Sequence, residues 1–166
     1  MDFLKNFLGN KSQRDIKVIM PYVDAALEFY EEIRKLSNDE LRNKTVEFRQ
    51  RIADHIAGKE KEIEELRVQL NSDEIEIDEK EKLYALLDKM EKESYELTQE
   101  ILNEILPEAF AVIKDTARRF VEKEYVEVTA TQMDRDFAAV KANVEIVGNQ
   151  ARYTTSWLAG GNMIRW

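Results

Sequence analysis

Apolar residues near the start of the chain recur at helical spacing, so the pattern predicts helices from the first residues onward. Residues 2–8 predict a short amphipathic helix, and Gly9-Asn10 suits its C-terminal cap. A second helix is predicted over residues 12–20. Pro21 then fits a helix boundary or the first turn of the next helix, because proline has no amide hydrogen to donate.

The next helical stripe extends from Val23 to Leu36 and ends at a polar segment. Ser37 predicts an N-cap there, and Glu40 can complete a capping box by accepting a hydrogen bond from the Ser37 amide. The helix that follows is predicted to end at Gly58. Its apolar stripe comprises Leu41, Thr45, Phe48, Ile52 and Ile56.

Residues 59–106 predict an antiparallel pair of helices that forms an arm. The first helix carries Ile63, Leu66 and Leu70 in a dense background of charge, and Asp78 can cap the second, predicted over residues 79–106. The apolar positions of that second helix nearly follow a heptad rhythm: Leu83, Leu87, Met90, Ser94, Leu97, Ile101 and Ile105. The second helix is the longer one. Its end from Leu97 onward is therefore expected to pack on the Leu41 to Ile56 helix, with Leu97 more deeply buried than Leu66.

The periodicity changes to that of strands near the C-terminus. Residues 124–131 (EYVEVTAT) alternate and are β-branched, which predicts a half-buried strand, and Thr131 predicts the cap of a short helix to about Ala142. VEIV and RYTTSWL flank Gly148-Asn149, which predicts a hairpin. Gly160-Gly161-Asn162 is interpreted as a flexible exit.

These elements predict a mainly α fold: an antiparallel helical bundle with a long two-helix, coiled-coil-like arm and a small β-hairpin or sheet near the C-terminus. Pro107 is predicted to separate the arm from a further helix. The predicted segments are the N-terminal helices (1–58), an acidic arm with its return helix (59–106), a helix beginning at Pro107 (107–123) and a β-containing region (124–166).

The charge of the chain is concentrated in the arm. The net charge is −9, and residues 59–104 carry sixteen acidic against seven basic side chains. This balance argues against a nucleic-acid partner. The acidic side chains either form a solvated face or dock a basic partner.

Composition also limits cofactor chemistry and membrane topology. The absence of cysteine excludes disulfides and thiolate metal sites, and no apolar run approaches the ~20 residues that cross a bilayer. The N-terminus has no features of a secretion signal. The lone His55 is interpreted as a solvated side chain rather than a metal ligand.

Two stretches are specific enough to indicate a family. LSNDELRNKT (residues 36–45) and, later, ILPEAFAVIKDTARR (residues 105–119) resemble the opening of the SecA family, the ATPases that push preproteins through the bacterial SecY channel. In that family an LS-(D/N)-ELRxKT-like segment precedes LPEAFAVVREAxRR. The two stretches usually lie closer together there, so residues 59–92 are interpreted as an inserted arm and residues 124–166 as a second insertion.

The resemblance implies the partners and setting of the complete protein. It implies ATP and Mg²⁺ as cofactors, a SecY-type channel, anionic lipids and preprotein as partners, and a cytoplasmic location peripheral to the inner membrane. A homodimer is an open alternative. The extreme N-terminal helix of the family is implicated in contacts with lipid and channel, and the residues assigned to such contacts are Phe3, Leu4, Lys5, Phe7, Leu8, Lys11, Arg14 and Lys17. The alternative is that the aromatic residues simply pack on the next helix.

The phosphate-binding loop of the family does not occur in this sequence. Neither the FDVQL-type segment nor the GEGKT loop is present, and in GNKS (residues 9–12) Asn10 replaces the second Walker A glycine while Lys5 replaces the first. The chain is therefore expected to be an N-terminal SecA segment truncated before the Walker A loop. It is expected to have no catalytic, cofactor-binding or metal-binding residue of its own and to supply docking and packing. The rival hypothesis is a stand-alone helical scaffold or interaction module.

Overall fold

The computed structural model describes residues 11–72 and 75–165. The chain divides into two compact units. Unit one contains the described residues up to Lys44 and those from Pro107 onward, and unit two extends from Thr45 to Leu106. The fold is mainly helical with a small antiparallel sheet near the C-terminus, as the sequence predicted. The predicted helix at residues 2–8 lies outside the described residues.

Three long helices form most of the described chain: α1 (Lys11–Ile33), α2 (Asn38–Leu70) and α3 (Ile77–Glu122). Three predicted helix ends are wrong, because Pro21 lies inside α1, Gly58 inside α2 and Pro107 inside α3. A proline removes one helical hydrogen bond and a glycine weakens a helix by about 1 kcal/mol, but neither stops a helix whose apolar stripe continues beyond it. Asp78 lies in the first turn of α3 rather than at its cap.

Unit two is an antiparallel helical hairpin formed by the second part of α2 and the first part of α3. Its ion pairs define the antiparallel register, because Arg51 contacts Glu104 at 2.9 Å whereas Lys59, further along α2, contacts Glu93 at 3.1 Å. The apolar seam contains Ile63, Leu66, Leu70, Ile101 and Ile105, all buried.

The expected order of burial in the arm is wrong. Leu66 is only 7% exposed, whereas Leu97 is half-buried. The reason is that α2 continues through Gly58, so its stripe from Ile63 onward faces α3 without interruption and forms a full part of the seam.

Unit one has a small apolar core of Ile33, Leu41 and Ala111, against which Tyr30, Leu36 and Val112 pack. The core joins the end of α1 and the start of α2 to the part of α3 that follows Pro107. Within unit one, the two stretches that resemble SecA therefore lie against each other.

A three-stranded antiparallel sheet follows α3, in the order β1-β3-β2. Its strands are β1 (Tyr125–Thr129), β2 (Val144–Val147) and β3 (Gln150–Thr154), with α4 (Gln132–Val140) between β1 and β2. The predicted strand, the Thr131 cap and the hairpin at Gly148-Asn149 are all confirmed. One face of the sheet is buried through Val126, Val128, Val144 and Ala151.

The predicted single strand RYTTSWL is two strands. β3 ends at Thr154, Thr155 is buried with its hydroxyl donating to the carbonyls of Lys123 and Glu124, and β4 (Ser156–Ala159) follows. β4 pairs with β5 (Asn162–Arg165) around Gly160-Gly161, whose φ values of 57° and 83° suit a primed turn. The interpretation of these glycines as a flexible exit is therefore wrong. None of the described helices is long and apolar enough to cross a bilayer.

Candidate functional site

Arg119 connects the two stretches that resemble SecA. Its guanidinium donates to Asp115 Oδ2 at 2.7 Å, to Asn38 Oδ1 at 2.6 Å and to the Leu36 carbonyl at 2.6 Å. Arg119 is 5% exposed and Asp115 is fully buried. The second stretch therefore holds the first by charge-assisted hydrogen bonds in a fixed geometry, which only the planar fork of an arginine can supply.

Asp115 also accepts from Arg118, with Arg118 Nε 2.9 Å from Asp115 Oδ1. The two arginines lie three and four residues after the aspartate, so all three side chains share one region of the α3 surface. The hydrogen bond to Asp115 raises the pKa of Arg118. Both carboxylate oxygens of the buried Asp115 are thereby paired with cations, which is the condition under which a buried charge is tolerated.

A capping box begins α2, as the sequence predicted. The Ser37 amide donates to Glu40 Oε2 at 2.7 Å, and the Glu40 amide donates to Ser37 Oγ at 3.2 Å. The hydrogen bond from the Ser37 amide, with a further one from its hydroxyl, lowers the pKa of Glu40. This box fixes the direction of the first turn of α2 and so sets where its next polar side chains point.

The first turn of α2 occupies the outer edge of β1. Asn38 Nδ2 donates to the Glu127 carbonyl at 2.7 Å, while Asp39 accepts from the Thr129 amide at 2.8 Å and from the Thr129 hydroxyl at 2.7 Å. Arg42 Nη1 adds a longer contact of 3.4 Å to the Thr129 carbonyl. Backbone groups that an edge strand leaves unpaired are thus satisfied by side chains.

Asp134 is the most densely bonded carboxylate of the site. Arg42 donates to both of its oxygens at 2.9 Å, and the Tyr153 hydroxyl and the Thr131 hydroxyl also donate to it. The side chain is fully buried, although it also belongs to the capping box that begins α4. Arg42 lies 92 residues before Asp134, so the hydrogen bonds of Asp134 connect distant parts of the chain. We call Asp134 and its three donors, Arg42, Tyr153 and Thr131, the Asp134 node.

The node shifts two pKa values in opposite directions. Burial raises the pKa of Asp134, but the hydrogen bonds from Arg42, Tyr153 and Thr131 outweigh burial and hold it well below its usual value. Burial, together with the hydrogen bond to Asp134, raises the pKa of Tyr153 to about 12. Asp134 is therefore a permanent anion and Tyr153 a permanent hydrogen-bond donor near neutral pH.

We call this arrangement the polar clamp: residues 36–42, Asp115, Arg119, Asp134 and Tyr153. Among the described residues, no buried side-chain nitrogen or oxygen lacks a hydrogen-bond partner. No group of three or more potential metal ligands occurs within the same ranges, 11–72 and 75–165. A network whose members are all satisfied holds the elements it connects in place.

The structure places three of the predicted contact residues on α1. Lys11, Arg14 and Lys17 are exposed and form no ion pair with any other described residue. The apolar stripe of α1 is exposed as well, and at 100° per residue it lies on the side opposite the basic residues: Ile16, Ile19, Met20, Val23 and Leu27. The other predicted contact residues, Phe3, Leu4, Lys5, Phe7 and Leu8, lie outside the described residues.

His55 lies on α2 in unit two, with its Nε2 4.0 Å from Glu100 Oε2. No other histidine exists in the chain, and no potential metal-binding group includes it among the described residues.

Sequence reasoning missed Arg42, Asp134 and Tyr153. Thr131-x-x-Asp134 has the spacing of a capping box, so Asp134 could have been found as a helix-capping residue. No local pattern connects Arg42 or Tyr153 with it.

Comparison with known proteins gives one family. Residues 4–135 match the model of the SecA DEAD-like domain, a region that contains the two stretches joined by Arg119 and ends within α4. The β2 to β5 strands lie after that matched region. None of the solved structures matches the chain significantly.

Relatives named protein translocase subunit SecA match nearly the whole chain. The chain is 46% identical to that of Porphyromonas gingivalis strain ATCC 33277, 48% to that of Parabacteroides distasonis and 46% to that of Phocaeicola vulgatus. Each match covers 99% of this chain, so the arm and the β region have counterparts in these relatives. The chain spans only about 15% of the length of the relatives.

Proposed function

Because this chain belongs to the SecA family, we propose that it is the N-terminal region of a motor that couples ATP hydrolysis to preprotein translocation through a SecY-type channel. ATP and Mg²⁺ would bind elsewhere in the complete protein, and this region supplies docking and packing rather than catalysis. The complete motor would act from the cytoplasm at the inner membrane.

The observation that supports the proposal is the meeting of the two family stretches at Arg119. The guanidinium bonds both to Asp115 on its own helix and to Leu36 and Asn38 of the other stretch. The residues that carry the family resemblance therefore also carry the contacts of unit one. A role in packing accounts for this arrangement without assigning catalysis to any side chain.

Translocation by the full-length protein is the direct test. With membrane vesicles that contain the SecY channel, the full-length protein should move a preprotein with ATP and not without it. Arg119→Lys keeps the charge but loses the planar fork, so translocation should fall at a temperature where circular dichroism shows a folded protein. Arg135→Lys, on the exposed surface of α4, is the matched control and should leave translocation unchanged. A full-length protein without ATP-dependent translocation contradicts the motor function.

A measurement of nucleotide binding distinguishes this region from the rest of the proposed motor. Calorimetric titration of the 166-residue chain with Mg-ATP should give no heat beyond dilution, because the sequence lacks a Walker A loop. Micromolar binding would contradict the assignment of a docking role without nucleotide chemistry.

The proposal extends to contact with anionic lipid or with the channel through residues 2–20. The basic residues Lys11, Arg14 and Lys17 lie on one side of α1 and its exposed apolar stripe on the other, which is the pattern of an interfacial helix. The rest of the chain is acidic, so binding to vesicles should be weak and sensitive to salt.

Vesicle co-sedimentation tests the lipid contact. Replacing Lys11, Arg14 and Lys17 together with alanine should reduce sedimentation with anionic vesicles, and Phe3→Asp with Phe7→Asp should do the same. The matched control replaces Lys61, Lys89 and Lys92, three exposed lysines of unit two, with alanine, which changes the net charge equally. Equal losses in the two triple variants would show that net charge alone, and not α1, determines binding.

A further inference from the structure

A cleft in unit one is lined by basic side chains. Its volume is about 400 Å³, which is within the usual range for sites that bind small molecules. Among the described residues that line it, four are cations and none is acidic: Arg34, Arg118, Arg119 and Lys123. Arg34 follows the end of α1, and the other three lie at the end of α3. We call this site the basic cleft, and its lining is complementary to an anion.

Two of the four cations are available to an anion. Lys123 is exposed and forms no ion pair or side-chain hydrogen bond within residues 11–72 and 75–165. Its backbone is fixed, because its amide donates to the Arg119 carbonyl at 3.1 Å and its carbonyl accepts from the Thr155 hydroxyl at 2.7 Å. Arg34 contacts Glu31 at 3.9 Å, and both side chains are more than half exposed. Such a contact contributes little, so Arg34 can also turn toward a ligand.

The other two cations are held in place and are only partly neutralised. Arg118 and Arg119 both donate to Asp115, so one carboxylate serves two guanidinium groups. Arg118 also donates to Glu122, whereas the other bonds of Arg119 go to neutral oxygen atoms. The four cations thus share three carboxylates, those of Glu31, Asp115 and Glu122, and the basic cleft keeps a net positive charge.

The acidic residues in the first turn of α2 are directed to other partners. Asp39 accepts from the Thr129 amide and hydroxyl, and Glu40 accepts from the Ser37 amide. Neither of them lines the basic cleft, whereas Ser37 and Asn38 do. The cleft therefore contains the N-terminus of α2, whose dipole adds a partial positive charge to that of the side chains.

We infer that the basic cleft binds the phosphate group of a small soluble compound. Cations that approach from two separate segments suit an oxyanion with several charged oxygen atoms, whereas a planar carboxylate is satisfied by one guanidinium fork. A phosphate group carries more than one negative charge near neutral pH. Exposed cations bind weakly, so a dissociation constant of about 1 mM is expected, far weaker than the micromolar nucleotide binding excluded above. The inference goes beyond the motor function, because it requires neither ATP hydrolysis nor a channel.

Lysine labelling of the full-length protein tests the inference. An acylating reagent should modify Lys123, as mass spectrometry of its peptide would show. Inorganic phosphate should slow this reaction in a saturable way, because bound phosphate covers the amine. Lys61, an exposed lysine of unit two, is the internal control and should react equally with and without phosphate. Potassium chloride at the same ionic strength should leave the labelling of Lys123 unchanged.

A matched pair of variants connects the protection of Lys123 with the basic cleft. Arg34→Gln removes one exposed cation, so it should raise the phosphate concentration for half-protection about two- to fivefold. Arg14→Gln removes an exposed arginine of α1 that does not line the cleft, and it should leave half-protection unchanged. Neither arginine belongs to the polar clamp, so both variants should remain folded.

Four outcomes would overturn the inference. One is equal protection of Lys61 and Lys123 by phosphate. Another is the same half-protection in the parent protein and Arg34→Gln. The third is a Lys123 that does not react in the full-length protein without phosphate, since other parts of the protein would then fill the cleft. The fourth is protection by vesicles of anionic phospholipid but not by inorganic phosphate, which would assign the cleft to a lipid headgroup.

Discussion

Each of the two units of this chain is stabilised internally by a different kind of interaction. Unit two is a helical hairpin with a continuous apolar seam, and its ion pairs, such as Arg67 with Glu91, are largely exposed. Unit one has a small apolar core of Ile33, Leu41 and Ala111. The polar clamp adds charge-assisted bonds from the buried side chains of Arg119 and Asp134 to residues 81 to 92 positions away.

The comparison shows that polar bonds can stabilise unit one, whose apolar core is small. Exposed ion pairs add little to stability because water and salt screen them, so the seam must hold unit two. Buried carboxylates are costly unless fully paired, and in unit one both Asp115 and Asp134 are paired with arginine. Loss of one partner should therefore damage unit one far more than loss of an ion pair damages unit two.

The largest effect is expected from Asp134→Ala. It leaves the Arg42 guanidinium and the Tyr153 hydroxyl without their common acceptor and removes the α4 capping box. Removing one partner of a buried pair costs about 3–5 kcal/mol of unfolding free energy, and the partial exposure of Arg42 places this case near 3 kcal/mol. Chemical denaturation measures the loss. Asp136→Ala, an exposed carboxylate on the same helix, is the control and should change stability little.

In unit two, Leu66→Ala should cost about 2–3 kcal/mol, the lower part of the range for a buried leucine, because the side chain lies in the seam but keeps 7% of its exposure. Leu97→Ala should cost clearly less, since Leu97 is half-buried. Denaturant melts of the two variants, monitored by helical circular dichroism, compare them. A larger loss at Leu97 would restore the expectation from the sequence and contradict the burial in the structure.

A smaller effect is expected in alkaline solution. The pKa of Tyr153 rises from 10.0 to about 12 on folding. Its contribution to stability is therefore fully present below pH 10 and is lost as the pH rises toward 12. Tyr153→Phe should make stability less sensitive to pH in this window, as denaturation at several pH values would show. An identical pH dependence in both proteins would mean that Tyr153 ionises equally in the folded and unfolded states.

Stability should also depend on pH in acidic solution, because of Asp134. Its pKa is lowered below the usual value of 3.8, so its contribution is present above that value and is lost as the pH falls further. The Asp134→Ala variant should lack this part of the acid transition.

Local patterns predicted what local interactions determine. The Ser37 capping box, the Thr131 cap and the Gly148-Asn149 hairpin depend on residues a few positions apart, and the structure confirms them. The helix ends predicted at Gly58 and Pro107 were wrong, because packing along a continuous stripe outweighs a single unfavourable residue. The end predicted at Pro21 was wrong as well, although the stripe around it is exposed, so packing does not explain that helix.

The candidate site could be predicted only in part. The two family stretches were identified from the sequence, but the bond between them was not, because the pairing of Arg119 with Asn38 spans 81 residues and has no local signal. The pairing of Arg42 with Asp134 was missed for the same reason. Polar networks of this kind are fixed by the tertiary fold, and the sequence pattern shows only that each member is polar.

A pair of double-mutant cycles tests most directly whether buried polar bonds hold unit one while exposed ion pairs do not hold unit two. One cycle combines Arg42→Ala with Asp134→Ala, and the other combines Arg67→Ala with Glu91→Ala, the exposed pair of unit two. The account predicts a coupling free energy of about 1–3 kcal/mol for the first pair and a coupling within error of zero for the second. Equal coupling in the two cycles, or none between Arg42 and Asp134, would contradict it.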